Sequence, residues 1–195
     1  MIDLYKVGKA LCSAIFYPLY RIKVVGKENI PKEGPVIICS NHISNFDPPV
    51  VGITNSRNIY FLAKEELFKN KFIGGILKRV HAFPIKRGMR DRDALRKGIQ
   101  ILNENHALGL FPEGTRQRSG EIGKGLAGVG FFALRSKALI VPCAIIGPYE
   151  KWKPLKVVYG KPMNITSFRE QKASAQDVTD HIMEEIRQLH KFHSE

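Results

Sequence analysis

The sequence predicts an α/β fold, a single-domain sandwich with a mainly parallel central sheet flanked by helices, plus an N-terminal membrane-associated helix. Short apolar runs typical of buried strands alternate with segments of helical periodicity, and short polar loops join them. The 195 residues fit the size of one domain and contain no internal repeat or low-complexity tract. We therefore assign residues 1–25 to an N-terminal amphipathic segment and residues 26–195 to one domain.

The first half of the chain begins this alternation. An apolar run at 36–39 predicts a strand, the polar stretch at 40–47 a loop, and the segment at 48–53, which opens on two prolines, a helix. Residues 58–63 are strand-like, and residues 65–80 form a basic amphipathic stretch. Because function in parallel sheets collects in the loops after the strands, the polar loop is a candidate site.

The second half repeats the pattern. The predicted elements are a strand at 83–85, a helix at 91–104, a strand at 107–111, a Gly-containing loop at 112–123, a helix at 126–134, strands at 139–146 and 155–159, and a C-terminal helix. Ser174 and Asp177 are spaced to cap that last helix, whose apolar face includes Val178 and Ile182.

The chain is strongly basic, since 31 Lys and Arg residues against 18 Asp and Glu residues give a net charge of +13. This excess favours an anionic partner, either nucleic acid or an acidic membrane surface, and charge alone does not distinguish the two. The apolar content of 44% is too high for a disordered chain.

Two segments have the pattern of helices that lie in a membrane surface. The sequence contains no cleavable signal peptide and no uncharged run near the ~20 residues that span a bilayer. Residues 10–20, which include Leu11, Ile15 and Phe16, are instead short, apolar and flanked by basic residues, and residues 65–80 are similar. The alternative for residues 10–20 is an ordinary helix packed on the core.

The cysteines Cys12, Cys39 and Cys143 are odd in number, and the last two fall in apolar, strand-like runs. We expect reduced thiols in a cytosolic protein, with Cys39 and Cys143 packed in the core. No nucleophilic role is assigned to them.

The loop at 40–47 contains a histidine and an aspartate. A histidine can remove a proton from a hydroxyl, and a carboxylate that accepts the other ring N–H fixes the tautomer. His42 and Asp47 do not share a helix face, so they can meet only if the loop bends back at Ser44 and Asn45. The alternative for Asp47, which precedes a proline, is to cap the following helix.

The loop that begins at residue 112 contains groups suited to an anion. Gly114 lets the backbone approach closely, Thr115 can donate a hydrogen bond, and Arg116 can bind phosphate in bidentate fashion. Glu113 could orient Arg116, bind a substrate hydroxyl or form an ordinary salt bridge.

Two further blocks are less informative alone. Lys86 and Arg87 follow a short extended segment, and a basic turn of this kind is most often a solvated surface. Pro142 lies inside the apolar run 141–145, which predicts an edge strand or a bulge.

The order and spacing of the four blocks resemble those of the lysophosphatidic acid acyltransferases, the 1-acyl-glycerol-3-phosphate acyltransferase family. His42 and Asp47 match its His-four-residues-Asp block, residues 83–87 its Phe-Pro-x-x-Arg block, residues 113–116 its Glu-Gly-Thr-Arg block, and residues 141–145 its hydrophobic proline block. These blocks extend over most of the chain, and four in sequence are far more specific than any one.

The resemblance implies a role for each block. His42 would be the general base and Asp47 would orient it. The groups implied to bind the glycerol phosphate are Arg87, Glu113, Gly114, Thr115 and Arg116, with Lys124 assisting with phosphate or donor. Many relatives have an acidic residue where this chain has Lys86, so Lys86 receives no role.

The implied reaction moves an acyl group from acyl-acyl carrier protein or acyl-CoA to the sn-2 hydroxyl of 1-acyl-sn-glycerol-3-phosphate and gives phosphatidic acid, with no cofactor, metal or acyl-enzyme. The implied partners are lysophosphatidic acid, the thioester donor and an anionic membrane surface, not nucleic acid, and the implied location is peripheral, on the cytoplasmic face of the cell membrane. The alternatives are the same chemistry on glycerol-3-phosphate, another lysophospholipid or a lyso-aminolipid, and a non-catalytic protein that binds anionic lipid or nucleic acid.

Overall fold

The computed structural model describes residues 3–86, 91–117 and 121–194. The strands are β1 (Lys23–Val25), β2 (Val36–Ser40), β3 (Ile59–Lys64), β4 (Ala82–Ile85), β5 (Ala107–Leu110), β6 (Leu139–Ile146) and β7 (Lys156–Tyr159). The helices are α1 (Leu4–Leu19), α2 (Asp47–Thr54), α3 (Glu66–Lys69), α4 (Lys71–Arg79), α5 (Arg92–Asn103), α6 (Gly128–Arg135), α7 (Thr166–Glu170) and α8 (Ala175–Ser194).

The seven strands form one sheet in the order β1-β7-β6-β2-β5-β3-β4. All neighbouring pairs are parallel except β6 and β7. Alternate residues of the buried strand β2 enter two cores: Ile37 joins the cluster under α5, α6 and α8, and Ile38 joins the cluster under α1 and α2. Helices therefore cover both faces of a mainly parallel sheet, which confirms the predicted fold class.

The predicted capping of the C-terminal helix is confirmed. The main-chain N–H of Asp177 donates to Oγ of Ser174 at 3.1 Å, and the N–H of Ser174 donates to Oδ2 of Asp177 at 2.9 Å. This reciprocal pair stabilises the start of α8.

The basic amphipathic stretch at 65–80 is not one continuous helix. The segment forms two short helices, α3 and α4, because Asn70 between them is extended. Its side-chain oxygen accepts the N–H groups of Phe72 and Ile73 at 3.0 and 3.1 Å and so begins a new helix.

The prediction that Pro142 marks an edge strand or a bulge is also wrong, because β6 lies inside the sheet between β7 and β2. The carbonyl of Pro142 accepts the N–H of Gly160, which follows the last residue of β7. A residue's N–H and C=O point to the same neighbouring strand, so the missing donor of Pro142 falls where β7 has ended.

Helix α1 fits both interpretations of the N-terminal segment. One side, with Cys12, Phe16 and Leu19, packs against the core beside α2. The opposite side carries large apolar side chains that are 42–61% exposed: Leu4, Val7, Leu11 and Ile15. Phe16, predicted to belong to a membrane-facing run, therefore points inward. Within the described residues, no helix combines the length and apolarity needed to cross a membrane.

Candidate active site

The two loops with the strongest sequence patterns begin side by side. Strands β2 and β5 are parallel neighbours in which Cys39 pairs with Leu110. His42 lies two residues after the end of β2, and Glu113 lies three residues after the end of β5. The topology thus brings both residues to the carboxyl edge of the sheet, where parallel α/β folds form their sites.

Asn41 fixes the direction in which the chain leaves β2. Its side-chain nitrogen donates to the carbonyl of Ile145 at 3.0 Å, and its oxygen accepts the N–H of Ile145 at 2.8 Å. The amide thus continues the pairing of β2 with β6 by one residue and anchors the main chain before His42. Sequence reasoning missed this role, and the only signal was a polar residue placed between a buried strand and a candidate base.

His42 and Asp47 are joined by a hydrogen bond of 2.7 Å between Nδ1 and Oδ2. The same carboxylate oxygen accepts the main-chain N–H groups of Ile43 and Ser44, each at 2.7 Å, so the loop bends back as its composition predicts. Asp47 is fully buried and His42 is 7% exposed. Since a carboxylate only accepts, Nδ1 carries the proton and Nε2 has the free lone pair of a base.

The alternative role of Asp47 as a helix cap is wrong. Asp47 is the first residue of α2 itself, and the next two positions are Pro48 and Pro49, which have no N–H to satisfy. None of the side-chain hydrogen bonds found in the described residues runs from the Asp47 carboxylate to an N–H of α2. Both oxygens are turned toward the loop and the sheet edge.

Glu113 joins the two loops through the main chain. Its Oε2 accepts the N–H of His42 at 2.7 Å, and its Oε1 accepts the N–H of Gly123 at 2.7 Å. Burial raises the pKa of this carboxyl, and the two N–H donors oppose the shift. No ion pair of Glu113 occurs within residues 3–86, 91–117 and 121–194, so the salt-bridge alternative is wrong for the described chain.

Two glycines, Gly114 and Gly123, lie in the loop after β5 that closes around Glu113. Gly114 has a φ of +68°, where side chains are strained, and a Cβ there would lie 2.5 Å from Leu126. A Cβ on Gly123 would lie 2.9 Å from the side chain of Gln117 and 3.4 Å from the Glu113 carboxylate. Since Gln117 can move, the requirement for glycine is strict only at Gly114, where φ is positive.

The turn that carries the predicted anion-binding groups lies against the loop of the His42–Asp47 pair, which we call the dyad. The residue after Arg116, Gln117, donates its N–H to the carbonyl of His42 at 2.8 Å, which brings this turn against the His42 loop. Thr115 and Lys124 are exposed and Arg116 is half-buried. Across the part of the chain that the structure describes, the Arg116 and Lys124 side chains have no hydrogen-bond or ion-pair partner, so both are free to meet a ligand. Arg87 lies outside the described residues.

Two aromatic side chains complete the surroundings of the dyad. The ring of Phe111 stacks on His42 with centroids 4.3 Å apart. The hydroxyl of Tyr149, in the loop after β6, donates to Oδ1 of Asp47 at 2.7 Å. Burial raises the pKa of Tyr149, and the adjacent Asp47 raises it further. Sequence reasoning missed Tyr149, which no motif includes.

The cysteine prediction is confirmed for the core. Cys12, Cys39 and Cys143 are all free thiols, and the latter two are fully buried. Burial raises the pKa of Cys143 to about 12 and that of Cys39 further still. Buried neutral thiols are poor nucleophiles, in line with a direct transfer that needs no acyl-enzyme.

The relationship of this site to known proteins follows from sequence and fold. Residues 21–146 match the Acyltransferase family, a span of more than half the chain. A 1-acyl-sn-glycerol-3-phosphate acyltransferase of Bacillus subtilis is 34% identical over 154 residues, which cover 75% of this chain and 76% of that protein. The α/β fold, the His42–Asp47 pair and the family match together define this chain as an acyltransferase. More narrowly, the chain belongs to the 1-acyl-sn-glycerol-3-phosphate acyltransferase family.

Two further matches carry the name of the same acyltransferase activity. A 1-acyl-sn-glycerol-3-phosphate acyltransferase of Borreliella burgdorferi is 35% identical over 127 residues, which cover 64% of this chain and 51% of that protein, so the chain spans about half its length. The crystal structure of the 1-acyl-sn-glycerophosphate (LPA) acyltransferase, PlsC, from Thermotoga maritima matches with a TM-score of 0.69 at 25% identity, covering 95% of this chain and 78% of that one.

Proposed function

We propose that this protein transfers a fatty acyl group from a thioester donor to the sn-2 hydroxyl of 1-acyl-sn-glycerol-3-phosphate, giving phosphatidic acid. The observation that carries the proposal is the buried His42–Asp47 hydrogen bond of 2.7 Å next to the turn of Arg116, whose side chain has no partner among the described residues. The first group is a base for a hydroxyl, and the second is a cation suited to a phosphate. The names of the relatives from Bacillus subtilis and Borreliella burgdorferi agree with this substrate.

The chemistry follows from the protonation state of the dyad. Nε2 of His42 takes the proton of the acceptor hydroxyl as its oxygen attacks the thioester carbonyl. Asp47 stabilises the imidazolium that forms, as in other His-carboxylate pairs. The tetrahedral intermediate then breaks the C–S bond, and His42 returns the proton to the departing thiolate. The chain needs neither a metal nor a cofactor for these steps.

The acceptor phosphate is assigned to the turn after β5. Arg116 would bind it in bidentate fashion, Thr115 would donate a hydrogen bond, and Lys124 and Arg87 would add positive charge. Glu113 would act indirectly, because its oxygens already accept the N–H groups of His42 and Gly123.

The lipid acceptor requires access from a membrane, and we infer that the protein binds the cytoplasmic leaflet peripherally. The exposed apolar side of α1 would insert, together with a second exposed group formed by Leu67, Phe72, Ile73 and Ile76 of α3 and α4. Trp152, which is 67% exposed between Lys151 and Lys153, would join them, since its main-chain N–H donates to the carbonyl of Leu19 at the end of α1. The net charge of +13 would add attraction to anionic lipid.

The direct test is an acyl-transfer assay with the purified protein in detergent. A labelled acyl thioester, either on acyl carrier protein or on CoA, is offered with lysophosphatidic acid, glycerol-3-phosphate, lysophosphatidylethanolamine or monoacylglycerol in separate reactions. We expect labelled phosphatidic acid with lysophosphatidic acid and little product from monoacylglycerol. Faster transfer to any of the other three acceptors would overturn the proposed substrate, and no transfer to any acceptor would overturn the proposed enzyme.

A further inference from the structure

Tyr149 lies outside the four sequence motifs and yet contacts the dyad. We propose that Tyr149 is a positioning residue for acyl transfer, whose hydroxyl holds the Asp47 carboxylate in register with His42. The inference rests on the proposed function and adds a residue that acts on the base through Asp47. Tyr149 follows β6, whereas Asp47 opens α2, so the contact joins two distant parts of the chain.

The two oxygens of Asp47 have different sets of donors. Oδ2 accepts from Nδ1 of His42 and from the main-chain N–H groups of Ile43 and Ser44. Oδ1 accepts from the hydroxyl of Tyr149 at 2.7 Å, the one hydrogen bond it makes within the described part of the chain. Because Asp47 is fully buried, loss of that hydroxyl would leave a charged oxygen without a donor or water.

The ring of Tyr149 packs among other aromatic rings that support the position of its hydroxyl. Tyr20 packs edge-on against it with centroids 5.3 Å apart, and Phe46, the residue before Asp47, lies 6.0 Å away. Phe16 of α1 contacts both Tyr20 and Phe46 at 5.7 and 5.4 Å. The hydroxyl is therefore placed by packing, and the proposed role requires this fixed geometry.

Loss of the hydroxyl has a definite electrostatic consequence. The negative charge of Asp47 would be less stabilised at Oδ1, so the pair would hold an extra proton more tightly, either on His42 or on the carboxylate itself. The base would then become available only at higher pH. Within the described residues, the other titratable groups that interact with this pair are Glu113 and Cys143, and the variants proposed below leave both unchanged. Burial keeps Cys143 protonated, because its pKa is about 12.

The test compares Tyr149→Phe with Tyr20→Phe, a matched control that removes a hydroxyl from the same aromatic cluster. We expect Tyr149→Phe to lower kcat about tenfold or more, the usual range for a charge-assisted hydrogen bond, with both KM values within about twofold of wild type. In the plot of kcat/KM against pH, the rise on the acidic side, here called the acid limb, should move to higher pH in Tyr149→Phe. Tyr20→Phe should leave kcat and the acid limb unchanged.

A third variant allows the inference to be tested even if Tyr149→Phe misfolds. Site-specific 3,5-difluorotyrosine at position 149 keeps the ring and makes the hydroxyl a stronger donor, so the acid limb should move to lower pH. Wild-type kcat and an unshifted acid limb in Tyr149→Phe, or an unshifted limb with difluorotyrosine, would overturn the inference. A wild type that transfers no acyl group to lysophosphatidic acid would instead overturn the proposed function, and this inference with it.

Discussion

Oε2 of Glu113 accepts the main-chain N–H of His42 at 2.7 Å, across 71 residues of sequence. The other oxygen binds the N–H of Gly123, so a single buried side chain connects the loop of the proposed base with the end of the proposed phosphate turn. The Glu of the Glu-Gly-Thr-Arg block thus accepts main-chain N–H groups from both loops and holds them together.

Substitution of Glu113 by Gln should destabilise the protein and lower activity together. The amide would present an NH2 group to one of two N–H donors, and an unsatisfied buried donor typically costs about 1–3 kcal/mol. Urea unfolding and kcat measure the two effects, with the exposed Glu170→Gln as a control. A raised acceptor KM at unchanged stability would show that Glu113 binds the substrate instead.

His42→Ala should abolish most turnover and preserve the fold. General-base loss typically costs ~10²–10⁴-fold, and Asp47→Asn should also be severe because the amide cannot stabilise the imidazolium. Steady-state rates with circular dichroism test this, and His106→Ala is the control. Retention of more than about a tenth of the wild-type rate by folded His42→Ala would rule out the proposed base.

Arg116→Lys should raise the acceptor KM markedly and leave the donor KM unchanged, because a bidentate guanidinium contact has no lysine equivalent. Arg87→Ala should behave similarly. Arg96→Lys on the exposed side of α5 is the matched control, since its only ion pair is a 3.5 Å contact with Asp93 within the described residues. Equal wild-type rates on lysophosphatidic acid and monoacylglycerol would exclude phosphate binding at this turn.

The membrane surface can be tested with two equally exposed phenylalanines. Phe72 of α4 and Phe192 of α8 are each 78% exposed, but only Phe72 belongs to the proposed inserting groups. Leu11→Glu combined with Phe72→Glu should weaken flotation with anionic liposomes, whereas Phe192→Glu should not. Insertion contributes roughly 25 cal/mol of binding free energy per Å² of apolar surface buried, so the loss of two large side chains should weaken binding measurably. If the wild type, the double variant and Phe192→Glu all float equally, a different surface of the protein binds the membrane.

The buried thiols should resist alkylation in the folded protein. Cys39 and Cys143 are fully buried with raised pKa values, so iodoacetamide at neutral pH should modify only Cys12, and slowly. Mass spectrometry before and after denaturation counts the modified sites, and activity should survive the native reaction. Rapid modification of Cys143 with loss of turnover would contradict a mechanism without a cysteine.

The parts of this site that the sequence predicts are those with local patterns. His42 and Asp47 share one loop, and the alternation of strands with helices indicates the sheet edge where that loop lies. The roles of Asn41 and Tyr149 depend instead on contacts with partners 104 and 102 residues away, which no local pattern encodes. The break at Asn70 is not apparent from the sequence, because the apolar periodicity continues through it and a single side chain begins the next helix.

The position of β2 in the middle of the sheet has a consequence during synthesis. Its neighbours are β5 and β6, and β6 ends more than 100 residues after β2 begins. All five residues of β2 are buried in the folded protein. A chain that terminates after β5 and before β6 would leave the β6 side of β2 as an exposed edge with unpaired N–H and C=O groups. Such apolar edges are templates for intermolecular strand pairing. Truncated products of this gene should therefore aggregate, and release of soluble protein from the ribosome should require β6.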